Sequence, residues 1–263
     1  MIFPQLTLVG AGPGDPELIT LKGIKALQNA DVILYDALAN ESLLAYAKPE
    51  TPLVFVGKRR GSCAFSQEEI NQLIIENAYR YGHVVRLKGG DPFIFGRGHE
   101  EIEFAKAFNI PVAIVPGISS AIAVPEMQQI PLTTRGISES FWVTTGTTKD
   151  GTISKDIALA AQSTATVVVL MAMSKLEDIM QIFANEGKAH TPVAIIQHGT
   201  TAQEKYVLGT VDSIAGIARK EAIDNPAIIV IGEVVSLHPD MVKSEIMRNE
   251  INYSKSVTPQ DKE

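Results

Sequence analysis

With 263 residues, 45% of them apolar and 20% charged, the chain has room for one large α/β domain or two smaller ones and the make-up of an ordinary globular protein. Its formal charge of −7, from 23 basic and 30 acidic residues, argues against a whole-surface affinity for nucleic acid and leaves only local basic patches to consider. Cys63 is the one cysteine, which excludes an intramolecular disulfide, and the five histidines lack metal-ligand spacing, so no metal is expected.

Along the first half, short β-branched runs alternate with helical patterns. Strands are expected at Gln5–Val9, Asp31–Tyr35, Leu53–Val56, His83–Leu87 and Val112–Val115. Between them, Leu21–Asn29, Glu41–Ala47, Gln67–Tyr81 and Glu100–Phe108 carry apolar residues at helical spacing. Thr20 is placed to cap the first helix, and Ser66 with Glu69 forms a capping box for the third. Near-continuous apolar strands separated by helices imply a mainly parallel sheet covered on both faces.

After a polar connection near residues 131–140 the alternation restarts, with strands expected at Phe141–Thr145, Thr166–Met171, Val193–Gln197, Lys205–Leu208 and Ala227–Val235. Ser174 and Glu177 match a second capping box, opening a helix Lys175–Asn185. No helix fits between Val193–Gln197 and Lys205–Leu208, so this half is expected to mix parallel and antiparallel pairing. The pattern divides the chain into an N-terminal α/β domain at 1–135, a C-terminal one at 136–243, and a polar tail at 244–263, frayed or disordered. The longest apolar run, Thr166 to Met173, is well short of the roughly 20 residues of a membrane span, and no export signal opens the chain. A soluble, cytoplasmic protein with no membrane or nucleic-acid partner is expected.

The first strand ends in GAGPGDPELIT, Gly10 to Thr20. Gly10 and Gly12 match two positions of a dinucleotide-binding fingerprint, and Asp36 sits where a ribose-binding acid would stand. At the third glycine position, however, stands Asp15, followed by Pro16, and a helix cannot start before about Thr20. That displaces the helix dipole a pyrophosphate needs and sets a carboxylate in its place. A stiff loop nearly bare of side chains instead lets a flat or bulky ligand approach the backbone.

Two more glycine-rich turns close strands of the same half. In LKGGDPFIFGRGHE, Gly89 and Gly90 expose main chain and Asp91 offers a carboxylate; in VPGISSAIA, Ser119 and Ser120 open a small-residue helix, with a plain N-cap role for Ser119 as the alternative. Ligands of open α/β sheets bind at this carboxyl edge, so three such turns describe one pocket. Lys58, Arg59, Arg60, Arg86, Lys88, Arg97 and Arg135 lie beside the loops, a local excess suited to a substrate rich in carboxylates, although any one of them alone reads equally as solvated charge.

Together the runs LVGAGPGDPELITLKGIKAL, ADVILYD, VGKRRG, SQEEIN, VVRLKGGDPFIFGRGHEE, VPGISSA, IPLTTRG, TPVAIIQHGT and PAIIVIGEVV resemble the uroporphyrinogen-III C-methyltransferases of the tetrapyrrole methylase superfamily, from about Leu6 to Leu237. The resemblance implies a two-domain α/β enzyme, usually a homodimer, binding S-adenosylmethionine in a cleft between its domains. It also implies two methylations of uroporphyrinogen III, giving precorrin-2 by way of precorrin-1 for sirohaem or cobalamin synthesis. On the matching motifs, Pro13, Gly89, Gly90, Asp91, Ile94, Ser119, Ser120, Met171 and Gly199 are implied to contact the cofactor, and Asp36 and Lys58 to move protons. Arg59, Arg97 and Arg135 are assigned to substrate carboxylates on their charge and position. The chain departs from the family pattern in carrying Ser119 for threonine, Ala172 for the glycine after Met171, and Ser62 and Cys63 where histidines often follow.

Methyl transfer to an electron-rich pyrrole carbon is an in-line displacement that rests on alignment and requires no metal, and the protein must then manage a proton. Within the superfamily a later corrin-ring methyltransferase or a diphthine synthase competes with this reading. From other classes, a nicotinamide-dependent oxidoreductase accounts for the first loop and Asp36 but leaves the second loop without a purpose. A non-catalytic tetrapyrrole or nucleotide sensor would never deliver a methyl group.

Overall fold

A computed structural model describes residues 2–57 and 65–244. The chain divides into two compact units, one formed by the chain up to Ala123 together with Gly199–Ala202, the other by the rest.

The first unit is built on a five-stranded sheet of β1 (Gln5–Gly10), β2 (Val32–Tyr35), β3 (Leu53–Phe55), β4 (His83–Lys88) and β5 (Val112–Val115). Their order is β3-β2-β4-β1-β5 and every neighbouring pair is parallel. Side chains alternate across a strand, so β1, β2, β4 and β5 each feed two cores. Leu6, Leu8, Val32, Leu34 and Val84 pack with Ile70, Ile74 and Ala78 of α2 (Gln67–Tyr81) and Ile102 and Ala105 of α3 (Gly98–Ala107). Val9, Ile33, Val85, Leu87 and Val115 face the other way, toward Leu27 of α1 (Leu21–Gln28) and Leu43. Each fully buried Leu or Ile contributes about 1.5–3 kcal/mol, which holds these short strands in place. The expected caps form: Thr20 accepts from Gly23 N, and Ser66 and Glu69 make the capping box that starts α2. Glu41–Tyr46 is a 3-10 helix, capped by Asn40, where an α-helix was expected. The segment α4 (Ser120–Met127) follows β5.

In the second unit β6 (Phe141–Thr145), β7 (Thr166–Leu170), β8 (Pro192–Gln197), β9 (Lys205–Thr210) and β10 (Ala227–Ile231) form a sheet in the order β6-β7-β10-β8-β9. Only β6 and β7 pair in parallel; β7–β10, β10–β8 and β8–β9 are antiparallel, the mixed pairing the spacing predicts. One face packs Val167, Val169, Val193, Ile195, Ile229 and Ile231 against α5 (Asp156–Gln162), α6 (Leu176–Asn185) and α7 (Ile214–Lys220).

Two local expectations fail here. The final strand stops at Ile231 instead of running to Val235, because Gly232, at φ 150°, turns the chain into a 3-10 helix at Glu233–Leu237. The capping box at Ser174 does not form: a 3-10 turn at Met173–Lys175 precedes α6, Lys175 is the cap residue, and Glu177 turns outward to pair with Arg219. Among the described residues, no helix is long and apolar enough to cross a membrane.

Candidate functional site

The carboxyl edge of the parallel sheet is held together by main chain. Gly12 and Gly90 form an isolated antiparallel bridge, with Gly90 N donating to Gly12 O at 2.7 Å and Gly12 N to Gly90 O at 3.3 Å. Ala11 N donates to Lys88 O at 2.7 Å, tying the first loop to the end of β4. A Cβ on Gly10 would lie 2.7 Å from Gly90 O, and one on Gly117 2.7 Å from Gly10 Cα. The turns after β1, β4 and β5 therefore come together backbone against backbone at these glycines, where no side chain fits between them.

Asp91 stitches the second turn to the third. Its Oδ2 accepts from Gly117 N at 3.0 Å and its Oδ1 from Phe93 N at 2.8 Å, so both carboxylate oxygens serve main-chain donors. Asp36, at the end of β2, does the same for the front of that turn, accepting from Leu38 N at 3.2 Å and Gly89 N at 3.3 Å. Its other oxygen meets Arg86 Nη2 at 3.4 Å.

Of the residues expected at a cofactor site, Gly89, Gly90, Asp91, Ser119 and Ser120 gather at this edge. Gly90 has φ 65°, and a Cβ there would meet nothing nearer than Ser120 N at 3.9 Å. Bare backbone thus borders space that a side chain would fill. Ser119 is 8% exposed, and its Oγ accepts from Ala121 N at 3.3 Å, satisfying a free amide at the start of α4. Pro13 lies in the first loop, whose neighbour Gly14 abuts Gly199: a Cβ on Gly14 would be 3.2 Å from Gly199 O and 2.7 Å from Thr201 Cγ2. Ile94 is 44% exposed in the turn between Asp91 and α3.

The first loop departs from a dinucleotide cradle in the way its sequence predicts. Asp15 caps a 3-10 turn at Pro16–Leu18 through Glu17 N at 2.8 Å, and α1 begins only at Leu21. Asp15 N in turn donates to Thr200 Oγ1 at 3.0 Å, and Asn40 Nδ2 donates to Gly14 O at 2.8 Å. Neither Asn40 nor Thr200 was singled out from sequence; for both, the only local signal is a polar residue at a turn.

Met171, in the second unit, is half exposed and holds φ 54°, a left-handed conformation that costs a non-glycine residue about 1 kcal/mol or more. Thr147 Oγ1 donates to its carbonyl at 3.3 Å. The methyl of Ala172, expected near a cofactor, is fully buried in that unit's core beside Gly146.

The basic residues divide. Arg86 and Lys88 are 3% and 4% exposed, so they are not surface ligands for substrate carboxylates, correcting that expectation. Being two apart on β4, they share the face occupied by Val84 and meet Glu101 of α3: Arg86 Nε at 3.2 Å and Lys88 Nζ at 2.8 Å, both on Oε1. Burial, reinforced by the Arg86 charge and opposed by Glu101, lowers the Lys88 pKa from its ordinary value. Arg97 is exposed and gripped by Glu100 through two bonds of 2.8 and 2.6 Å. That bond raises its already high pKa. Arg135 is exposed in the second unit, in the turn bracketed by Thr134 and Ser138. Lys58 and Arg59, with Ser62 and Cys63, lie outside the described residues. Among the described residues, no three His, Cys, Asp or Glu side chains cluster so as to hold a metal ion.

Comparison with known proteins gives a consistent result. The family model described as tetrapyrrole (corrin/porphyrin) methylases matches residues 5–215. A uroporphyrinogen-III C-methyltransferase of Methanocaldococcus jannaschii is 48% identical over 235 residues, covering 89% of this chain and 97% of that protein. One from Priestia megaterium is 46% identical over 237 residues, covering 88% and 98%. The crystal structure of a uroporphyrin-III C-methyltransferase from Thermus thermophilus complexed with S-adenosyl homocysteine superposes with a TM-score of 0.76 at 38% identity, covering 89% of this chain and 99% of that one. A parallel sheet with a glycine-knitted carboxyl edge, a mixed second sheet and a match across most of the chain agree: the protein belongs to the tetrapyrrole methylase family.

Proposed function

We propose that the protein is an S-adenosylmethionine-dependent C-methyltransferase that methylates uroporphyrinogen III twice, forming precorrin-1 and then precorrin-2. The observation that carries this reading is the knitted edge formed by Gly10, Gly12, Gly90 and Gly117, with Gly90 bordering open space next to Ser120 N. Such an edge lets a ligand lie against the main chain. Relatives of 48% and 46% identity bearing that enzyme's name, and a solved relative complexed with S-adenosyl homocysteine, support the choice of donor and acceptor.

In this reading Pro13, Gly89, Gly90, Asp91, Ile94, Ser119, Ser120, Met171 and Gly199 hold the donor, which supplies a methyl group on a positively charged sulfur. A pyrrole carbon forms the new carbon–carbon bond as the carbon–sulfur bond breaks, its electron pair staying on sulfur. The methylated ring is then cationic and must release a proton. Asp36 is assigned to accept it: its side chain is 24% exposed at the end of β2, and three donors fix its orientation. Lys58 is assigned to proton transfer as well, and Arg59, Arg97 and Arg135 to substrate carboxylates. For Arg97 this requires exchange of Glu100 for a substrate carboxylate. A homodimer belongs to the same reading, and light scattering tests it.

The deciding experiment is anaerobic incubation with S-adenosylmethionine and uroporphyrinogen III, followed by mass analysis. A product carrying two added methyl groups is expected. Unmodified substrate recovered from folded protein that binds both ligands overturns the assignment.

A further inference from the structure

Behind Asp36 lies a group of charges that the proposed methyl transfer does not use. Glu101 is 1% exposed, and its Oε1 accepts from Lys88 Nζ at 2.8 Å, Arg86 Nε at 3.2 Å and Gln67 Nε2 at 3.3 Å. Its Oε2 is buried with no hydrogen-bond partner. A buried carboxylate is costly, and replacing such a cluster with apolar side chains is often neutral or stabilising, so stability alone is a poor reason for it. Arg86 bridges it to the surface: Nε meets Glu101, Nη1 donates to Leu87 O at 2.9 Å, and Nη2 meets Asp36 Oδ2 at 3.4 Å. The guanidinium is planar and rigid, so the edge held by Glu101 fixes the edge offered to Asp36.

We propose that Glu101 is a positioning residue that acts through Arg86, orienting the Asp36 carboxylate and balancing the charge around it. The role in turnover rests on the methyltransferase reading; the effect on Asp36 itself does not. The four groups Asp36, Arg86, Lys88 and Glu101 form two cation–anion pairs whose charges cancel. Removing the Glu101 charge leaves Arg86 and Lys88 in excess next to Asp36, and the added positive potential makes the carboxylate harder to protonate. Removing the Lys88 charge leaves the carboxylates in excess and has the opposite effect. Among the described residues, the charged groups facing Asp36 are Arg86 and Lys88 of β4, backed by Glu101 of α3. Lys58, Arg59 and Arg60 follow β3, outside the described residues, and are unchanged in every variant below.

The test compares the wild-type protein with Glu101→Gln, Lys88→Met and the double variant E101Q/K88M, each checked for folding by circular dichroism. Carboxyl carbon NMR, with the Asp36 signal identified by its loss in Asp36→Asn, follows the titration without any substrate. The midpoint is expected to fall by about one pH unit in E101Q, to rise by a similar amount in K88M, and to return near the wild-type value in the double variant. Opposite shifts exclude a merely structural role, which would lower stability in both single variants without moving the titration in two directions. If E101Q fails to fold, K88M and the charge-balanced double variant still carry the test. A midpoint that stays put in the folded variants overturns the proposal. In active enzyme, the acidic limb of the kcat profile should move with the midpoint; a wild type that transfers no methyl group while the midpoints shift as stated counts against the methyltransferase reading and not against the Glu101 role.

Discussion

The two sheets finish their strands in contrasting ways. In the first unit, β1, β4 and β5 end in turns that meet backbone to backbone, and the residues at the contact are Gly10, Gly90 and Gly117. In the second, β7 is followed by Met171 and β8 by His198, both at φ near 50°, where glycine would sit without strain. One edge has given up side chains so that three loops can approach; the other keeps a side chain at a conformational cost. Glycine is used where space is limiting, whereas at Met171 a side chain is kept in a conformation that costs about 1 kcal/mol or more.

The contrast breaks most readily at Gly117. A Cβ there falls inside contact distance of Gly90 O and Gly10 Cα, both main-chain atoms that cannot rotate away. Gly117→Ala should therefore cost about 3 kcal/mol or more, as over-packing against backbone does, read from the midpoint of urea unfolding. S-adenosylmethionine binding measured by calorimetry should weaken along with it. A variant within 0.5 kcal/mol of wild type, roughly the scatter of an unperturbed surface site, would mean that the three turns are not in close contact.

Ionisation sharpens the comparison in the second unit, where a buried histidine is held by hydrogen bonds. His238 is 4% exposed; its Nδ1 accepts from Asp240 N at 3.1 Å, so its Nε2 carries the proton and donates to Gln128 Oε1 at 3.3 Å. Burial lowers its pKa below the ordinary 6.5, partly offset by Asp240. The unfolded chain then binds the proton more tightly than the folded one, so this contribution to stability is present above pH 6.5 and is lost as the pH falls from there toward the folded pKa. Unfolding free energies measured from about pH 7.5 down to about pH 5 should decline more steeply in wild type than in His238→Gln. Equal slopes would remove His238 from the account.

Met171 tests the other half of the contrast. Met171→Gly relieves a left-handed residue, and stability should rise by about 0.5–1 kcal/mol, reduced by the greater freedom of glycine in the unfolded chain. Methyl transfer should fall in the same variant. Unchanged activity would leave the strain without a function.

Much of this architecture was legible in the sequence for a physical reason. Strands buried on both faces are mostly apolar, so β1, β2, β7 and β8 stand out as near-continuous apolar runs, and the Ser66–Glu69 box marks α2 because its hydrogen bonds are local. Signals whose outcome depends on distant partners were not legible. Ser174 and Glu177 have capping-box spacing, yet Glu177 is drawn to Arg219, 42 positions along the chain. The helices α5 and α7 were not anticipated, since seven residues give barely two turns of periodicity. At the site, the three glycine turns were visible as composition, whereas the burial of Arg86 and Lys88 was not: in HVVRLK they read as surface charge, and only the arrival of Glu101 from α3 makes their burial tolerable.

The smallest effect is expected where the second unit uses charge at its surface. Arg219 and Glu177 pair across α7 and α6 with side chains 72% and 68% exposed. Water screens such a pair, and fixing two long side chains costs entropy, so each of Arg219→Ala and Glu177→Ala should change stability by less than about 0.5 kcal/mol. Their double-mutant coupling should shrink further at 1 M salt, where the screening length is only about 3 Å. The buried pairs of Arg86 and Lys88 with Glu101 should resist the same salt, because buried charges are screened much less. A coupling of 2 kcal/mol at the exposed pair, well above the usual range of about 0.2–1, would abolish the distinction between charge that positions a site and charge that merely decorates a helix.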